Sequence, residues 1–253
     1  MGKNKLKKFE EMKGFRCVVE APCYSPPERL TDPALSVRHK LFSNDLPLVL
    51  ELGCGKGEYT VGLAKNDPER NFIGIDIKGA RIFTGAKQVE EEGIRNAGFL
   101  RTQVEALTGF FTQGEVSEIW ITFPDPQLKK TNKRLTSTRF LGYYRNFMKA
   151  DGVVNLKTDS PFLYEYTRRL ALHNGLEILE QTDDLYAREG DCMEKRIKTF
   201  YEQQWLSRGK TIKLLKFRIG SRPLEEPDVE DLEPDDYRAA ARFNRTTPQG
   251  SFI

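Results

Sequence analysis

Three glycines at alternate positions follow an apolar run in Val49-Leu50-Glu51-Leu52-Gly53-Cys54-Gly55-Lys56-Gly57, and a helix-like stretch comes straight after them. Glycine lets the backbone turn sharply and approach a ligand closely, so the segment reads as a strand, a tight turn and a helix N-terminus. The rest of the chain repeats that unit. Strand-like runs at Leu46–Leu52, Phe72–Ile77, Gly98–Arg101, Glu118–Thr122 and Val153–Lys157 alternate with helix-like stretches at Glu58–Lys65, Gly79–Glu92, Ser137–Met148 and Pro161–His173. Such alternation predicts βαβ units and a parallel sheet. Two more strands are expected at Leu176–Leu179 and Thr211–Arg218, with a helix over Lys198–Ser207 between them and an antiparallel last strand. The expected fold is therefore α/β: a doubly wound, mostly parallel seven-stranded sheet, Rossmann-like, with helices on both faces. Residues 1–45 read as a loose basic arm with a short helix near Ser36–Phe42, 46–219 as the domain, and 220–253 as an acidic tail too poor in apolar residues to bury a core.

A glycine-rich turn alone does not separate nucleotide cofactors, because dinucleotide enzymes carry G-x-G-x-x-G in the same place. Here the spacing is G-x-G-x-G, through Gly53, Gly55 and Gly57, and Glu51 stands two residues before the first glycine. A carboxylate there would repel a pyrophosphate but attract the ammonium and sulfonium of S-adenosylmethionine. Asp76 ends the second strand, 19 residues after Gly57, where it suits the ribose hydroxyls. The competing reading has Glu51 and Asp76 as helix caps; their coincidence with the glycine turn outweighs it. Thr102, Gln103 and Glu105 follow the third strand. Gln103 has both a donor and an acceptor for an adenine edge, against a plain surface glutamine.

The fourth strand leads into Phe123-Pro124-Asp125-Pro126-Gln127, with Lys129, Lys130, Lys133 and Arg134 in the next residues. Ligands of open α/β sheets bind beyond the carboxyl ends of the strands, which places Asp125 beside the reacting group. The basic run offers contacts to phosphates, and its place past Asp125 favours nucleic acid over a merely solvated loop. The fifth strand ends in Lys157-Thr158-Asp159, where Asp159 is either a substrate contact or an N-cap before Ser160-Pro161. The net charge of +3 conceals a basic body: eight of the 37 acidic residues fall in 224–236, leaving 29 against 40 basic ones, or about +11. That suits a polyanionic partner.

Taken together, residues from about Leu46 to Ile219 resemble the bacterial tRNA (guanine-N7)-methyltransferase family. The likeness is carried by the F-P-D-P of Phe123–Pro126 with its basic sequel, the K-T-D of Lys157–Asp159 and the T-x-Y-E of Thr199–Glu202; the glycine turn marks only the wider class I methyltransferase fold. The resemblance implies that Glu51, Asp76, a residue near Gln103, and Asp125 hold S-adenosylmethionine. It also implies that Lys129, Asp159, Thr199, Tyr201 and Glu202 engage a tRNA guanine, and that the target lies in the variable loop at position 46. Lys130, Lys133 and Arg134 are then expected on the RNA backbone. The chain departs from the family in having Gln127 where a Trp is usual.

The rival readings are a methyltransferase of another RNA base or of a protein side chain, a tRNA-binding module with a dead cofactor site, and a Rossmann oxidoreductase. An amine acceptor favours N-P-P-Y over F-P-D-P. Retention of Glu51, the glycines, Asp76 and Asp125 disfavours a dead site, and the glycine spacing disfavours the oxidoreductase. No stretch of 18 apolar residues occurs and the start lacks an apolar signal core, so no membrane association is expected. Cys17, Cys23, Cys54 and Cys192 lack zinc-like spacing, so no metal is expected and the thiols read as reduced in the cytoplasm, in a monomer or homodimer.

Overall fold

The computed structural model describes residues 3–22 and 28–235. Eight strands form one sheet in the order β1-β4-β3-β2-β5-β6-β8-β7. They are β1 (Val18–Glu20), β2 (Leu48–Leu52), β3 (Asn71–Ile75), β4 (Ala97–Arg101), β5 (Val116–Thr122), β6 (Met148–Thr158), β7 (Ile178–Thr182) and β8 (Lys213–Arg218). β1 to β6 pair in parallel, and β8 runs antiparallel between β6 and β7. One strand more than expected is present. The extra one, β1, comes from the N-terminal arm and pairs with β4. The arm is not loose over its described part: α1 (Lys3–Met12) packs on α4 (Gly79–Glu92), and Met12 and Cys17 are buried.

β2 is buried along its whole length, so its alternation shows only in which core each side chain joins. Leu48, Leu50 and Leu52 pack with side chains of α2 (Val37–Leu41), α5 (Thr138–Tyr144) and α6 (Pro161–His173). Val49 points to the other face, against α1, α3 (Glu58–Asn66), α4 and α8 (Phe200–Leu206). The period of two thus places Glu51 on the α3 face. β2 pairs with β3 on one side and β5 on the other, so the chain reverses its winding at the carboxyl end of β2, where ligands of such sheets bind.

The acidic segment corrects a second expectation. Residues 221–235 lie on the fold, with Leu224, Val229 and Leu232 packed against the core. Glu226 accepts hydrogen bonds from Thr138 N (3.0 Å) at the start of α5 and from Tyr166 Oη (2.6 Å) in α6. Asp231 pairs with Arg169, and Asp235 accepts from Ser160 Oγ and Phe162 N at the start of α6. The acidic side chains act as caps and counter-ions for helices made much earlier in the chain, which a count of apolar residues does not register. Residues 236–253, the remainder of the expected tail, lie outside the described residues, as does Cys23.

Candidate functional site

A cleft of about 340 Å³ opens at the carboxyl ends of β2 and β5. Its floor is the glycine turn. Gly53 N and Cys54 N both donate to Ile75 O (2.8 and 3.0 Å), which pins the turn to the end of β3. Gly57 caps α3 with φ 75°, and a Cβ there would lie 2.6 Å from the Phe99 ring, so only glycine fits. Asp76 draws the turn tighter: Oδ2 accepts from Gly55 N (3.0 Å) and Oδ1 from Lys78 N (2.7 Å).

Glu51 lies at the base of the cleft with 3% of its surface exposed. Its carboxylate accepts from Thr60 N (2.8 Å), Thr60 Oγ1 (2.5 Å) and Thr122 Oγ1 (2.6 Å), all neutral donors. Burial pushes its pKa up to about 7, despite those bonds, and the nearby Asp76 adds to the rise. A buried carboxylate served by neutral groups has electrostatic room for a cation.

One wall follows β5. Thr122, Phe123 and Asp125 line the cleft, and Asp125 Oδ1 accepts from Gln127 N (3.1 Å). Phe123 and Gln127 both have φ 49°, the two positive values among described non-glycine residues, and they bracket Pro124-Asp125-Pro126. Left-handed backbone at such residues costs of order 1–3 kcal/mol and persists only where its surroundings enforce it. The opposite wall is α8, through Thr199, Tyr201 and Trp205. Thr199 and Glu202 form a reciprocal capping box that fixes the start of that helix. The rim carries Lys56, Lys78 and Arg81.

Of the residues singled out in the sequence, the cleft brings together Glu51, Gly53, Gly55, Asp125, Thr199 and Tyr201. Gly57 and Asp76 are outside the lining and act on the turn itself, Gly57 through its backbone conformation and Asp76 through its bond from Gly55 N. Gln103 stands at the start of the 3-10 turn Val104–Gly109 and does not line the cleft. Lys129, Lys130 and Lys133 are at least partly exposed on the loop after Asp125, with Lys133 paired to Glu105 at 3.6 Å.

Two expectations need correction. Arg134 is 2% exposed and does not reach an RNA backbone: it donates to Pro126 O (3.2 Å) and Leu128 O (3.0 Å) and lies over the rings of Phe162 and Tyr166. Glu202 is fully buried, accepting from Lys157 Nζ (2.9 Å) and Tyr186 Oη (2.7 Å), so it secures α8 and cannot touch a guanine. Asp159 is 1% exposed and, like Glu51, is a buried carboxylate at the end of its strand. Thr122, Trp205, Lys78 and Arg81 also line the cleft and were not singled out in the sequence, and Phe123 and Lys56, quoted there only as parts of motifs, were given no role in the site. Thr122 had a usable signal, since it ends the strand before F-P-D-P as Leu52 ends the strand before the glycines. Among the described residues no group of three His, Cys, Asp or Glu is placed to hold a metal ion, and no helix is long and apolar enough to cross a membrane.

Comparison with known proteins agrees with this geometry. A family model described as "Putative methyltransferase" matches residues 45–215. A tRNA (guanine-N(7)-)-methyltransferase of Porphyromonas gingivalis is 58% identical over 210 residues, covering 81% of this chain and 85% of its own. One of Bacteroides fragilis is 49% identical over 255 residues, covering 99% of this chain and 100% of its own. Among solved structures, the 16S rRNA methyltransferase KamB superposes with a TM-score of 0.57 at 15% identity, over 78% of this chain and 98% of that one, which shows a shared fold.

Proposed function

We infer, from a chain that belongs to the tRNA (guanine-N(7)-)-methyltransferase family, that this protein transfers a methyl group from S-adenosylmethionine to N7 of a guanine in tRNA. The observation that carries the reading is the pairing of Glu51 with Asp125 on one cleft at the β2/β5 reversal: a buried carboxylate held by neutral donors, and a second carboxylate on a stiffened loop. The cleft fits S-adenosylmethionine. Glu51 would face its ammonium, and Gly53 and Gly55 leave room for the part that runs close along the backbone. Asp76, with each oxygen taking one backbone N–H, retains lone pairs for the ribose.

When bound, the cofactor supplies an electrophilic methyl on a cationic sulfur. Guanine N7 already carries a free lone pair, so no residue has to remove a proton before the N–C bond forms and the C–S bond breaks. The protein's contribution is orientation, which can supply roughly 7–11 kcal/mol of such a barrier. Asp125 adds a negative charge where positive charge develops on the guanine ring. Thr199 and Tyr201 shape the guanine side, and Lys129, Lys130 and Lys133 meet phosphates. The target is assigned to the variable loop, position 46, and the protein to the cytoplasm, where tRNA is modified and where the free thiols of Cys17 and Cys54 stay reduced. Incubation with bulk tRNA and labelled S-adenosylmethionine, followed by nucleoside analysis, should yield labelled N7-methylguanosine. Label in any other nucleoside, or in protein, would overturn the assignment.

A further inference from the structure

Five large apolar side chains are exposed among the described residues, and Phe200 is the one aromatic. It lies in the chain between Thr199 and Tyr201, which both line the cleft, with 46% of its surface open. Almost half of this apolar side chain faces water, yet its backbone is fixed from several sides. Its N–H donates to Glu58 Oε2 (3.0 Å) at the start of α3. The Thr199–Glu202 box holds the helix turn it begins, and buried Lys157 holds Glu202. Lys56 Nζ lies 4.4 Å from the ring centroid, and the Tyr201 ring meets it edge-on at 6.1 Å.

We propose that Phe200 is a stacking surface for the target guanine, an assignment that rests on the RNA-methylating reading above. A base presented to the cleft must leave its own stack, and aromatic side chains are the usual replacement for the neighbour it leaves behind. A ring that is rigidly mounted and already solvent-facing offers this without reorganisation of the protein. Lys56, over part of the same ring, brings a cation to the O6 edge or a flanking phosphate while leaving N7 to react. Phe200 does not line the cofactor cleft itself, so its effect falls on tRNA and not on the cofactor.

The test is a series at this position. F200A and F200L should each lower kcat/KM for tRNA by about ten- to a hundredfold, the factor that one base–aromatic stack supplies, with S-adenosylhomocysteine affinity unchanged. F200W should recover most of that deficit, and its fluorescence should be quenched by tRNA beyond the change seen in the wild-type protein. F200L behaving as wild type would overturn the proposal, because Leu keeps the apolar volume without the π face. So would F200A methylating at the wild-type rate, a weakened cofactor affinity in either variant, or no added quench in F200W. Nucleoside analysis of tRNA treated with the wild-type protein stands apart from these outcomes: N7-methylguanosine formed with a silent F200A would sink the stacking role alone.

Discussion

Glu51 carries a testable electrostatic consequence. With a pKa of about 7, it is protonated in much of the free protein below neutrality, and binding a cation beside it must expel that proton. Affinity for S-adenosylhomocysteine, whose ammonium would sit there, should therefore fall as pH drops below about 7 and level off above it. E51Q should flatten the profile and weaken binding at the upper end by about 1.5–3 kcal/mol, the scale of one charge-assisted hydrogen bond. Calorimetry on both sides of pH 7 checks this; a wild-type profile as flat as the variant's would remove Glu51 from the cofactor. The same residue affects folding in the opposite sense. Because its folded-state pKa lies above the ordinary carboxylate range, it favours the fold most at low pH, and that contribution disappears as pH rises through about 7.

At the scale of elements, the loop between β5 and α5 divides its cations into two jobs. Lys129 and Lys130 are exposed, whereas Arg134 is buried on the backbone carbonyls of the loop that carries Asp125. K129A/K130A should reduce the log–log salt slope of tRNA binding by roughly 0.7–0.9 for each phosphate that is no longer neutralised, and leave the Tm unchanged. R134A should instead lower stability by about 1.5–3 kcal/mol. Filter binding across salt concentrations and thermal melts separate the two, and an R134A protein with the wild-type Tm would refute the structural role. This division was illegible in the sequence, where K-K-T-N-K-R reads as one basic run. Strand tips, the glycine turn and both long helices, Gly79–Glu92 and Pro161–His173, were legible because period and punctuation are local signals. The burial of Arg134, Asp159 and Glu202 was not, because a charged residue looks the same in sequence whether or not a distant partner covers it. Lys157 meets Glu202 across 45 positions, and no local pattern announces that.

For the whole molecule, the acidic segment is the clearest departure from what composition suggested. Glu226 bridges the start of α5 to Tyr166 of α6, and Asp235 caps α6. Ending the chain at Gly220 should cost at least about 2 kcal/mol through the Tyr166 bond and the missing caps, a Tm drop of about 4–8 °C for a domain of this size. The exposed Asp231–Arg169 pair adds little, being screened by water. An unchanged Tm after truncation would show that the segment only rests on the surface. Methylation should survive at temperatures well below the new Tm, since 221–235 contributes no side chain to the cleft.

The order β6-β8-β7 has a consequence for how such a chain is made. β7 leaves the ribosome before β8, yet β8 is the strand that joins β7 to the sheet. Until residue 218 emerges, a nascent chain therefore presents β6 as an open edge and β7 as an unpaired strand, both apt to pair with another chain. Synthesis stalled after β7 but before α8 leaves the protein at its most aggregation-prone, with the cleft floor already laid down and the α8 wall and the sheet's far side still missing.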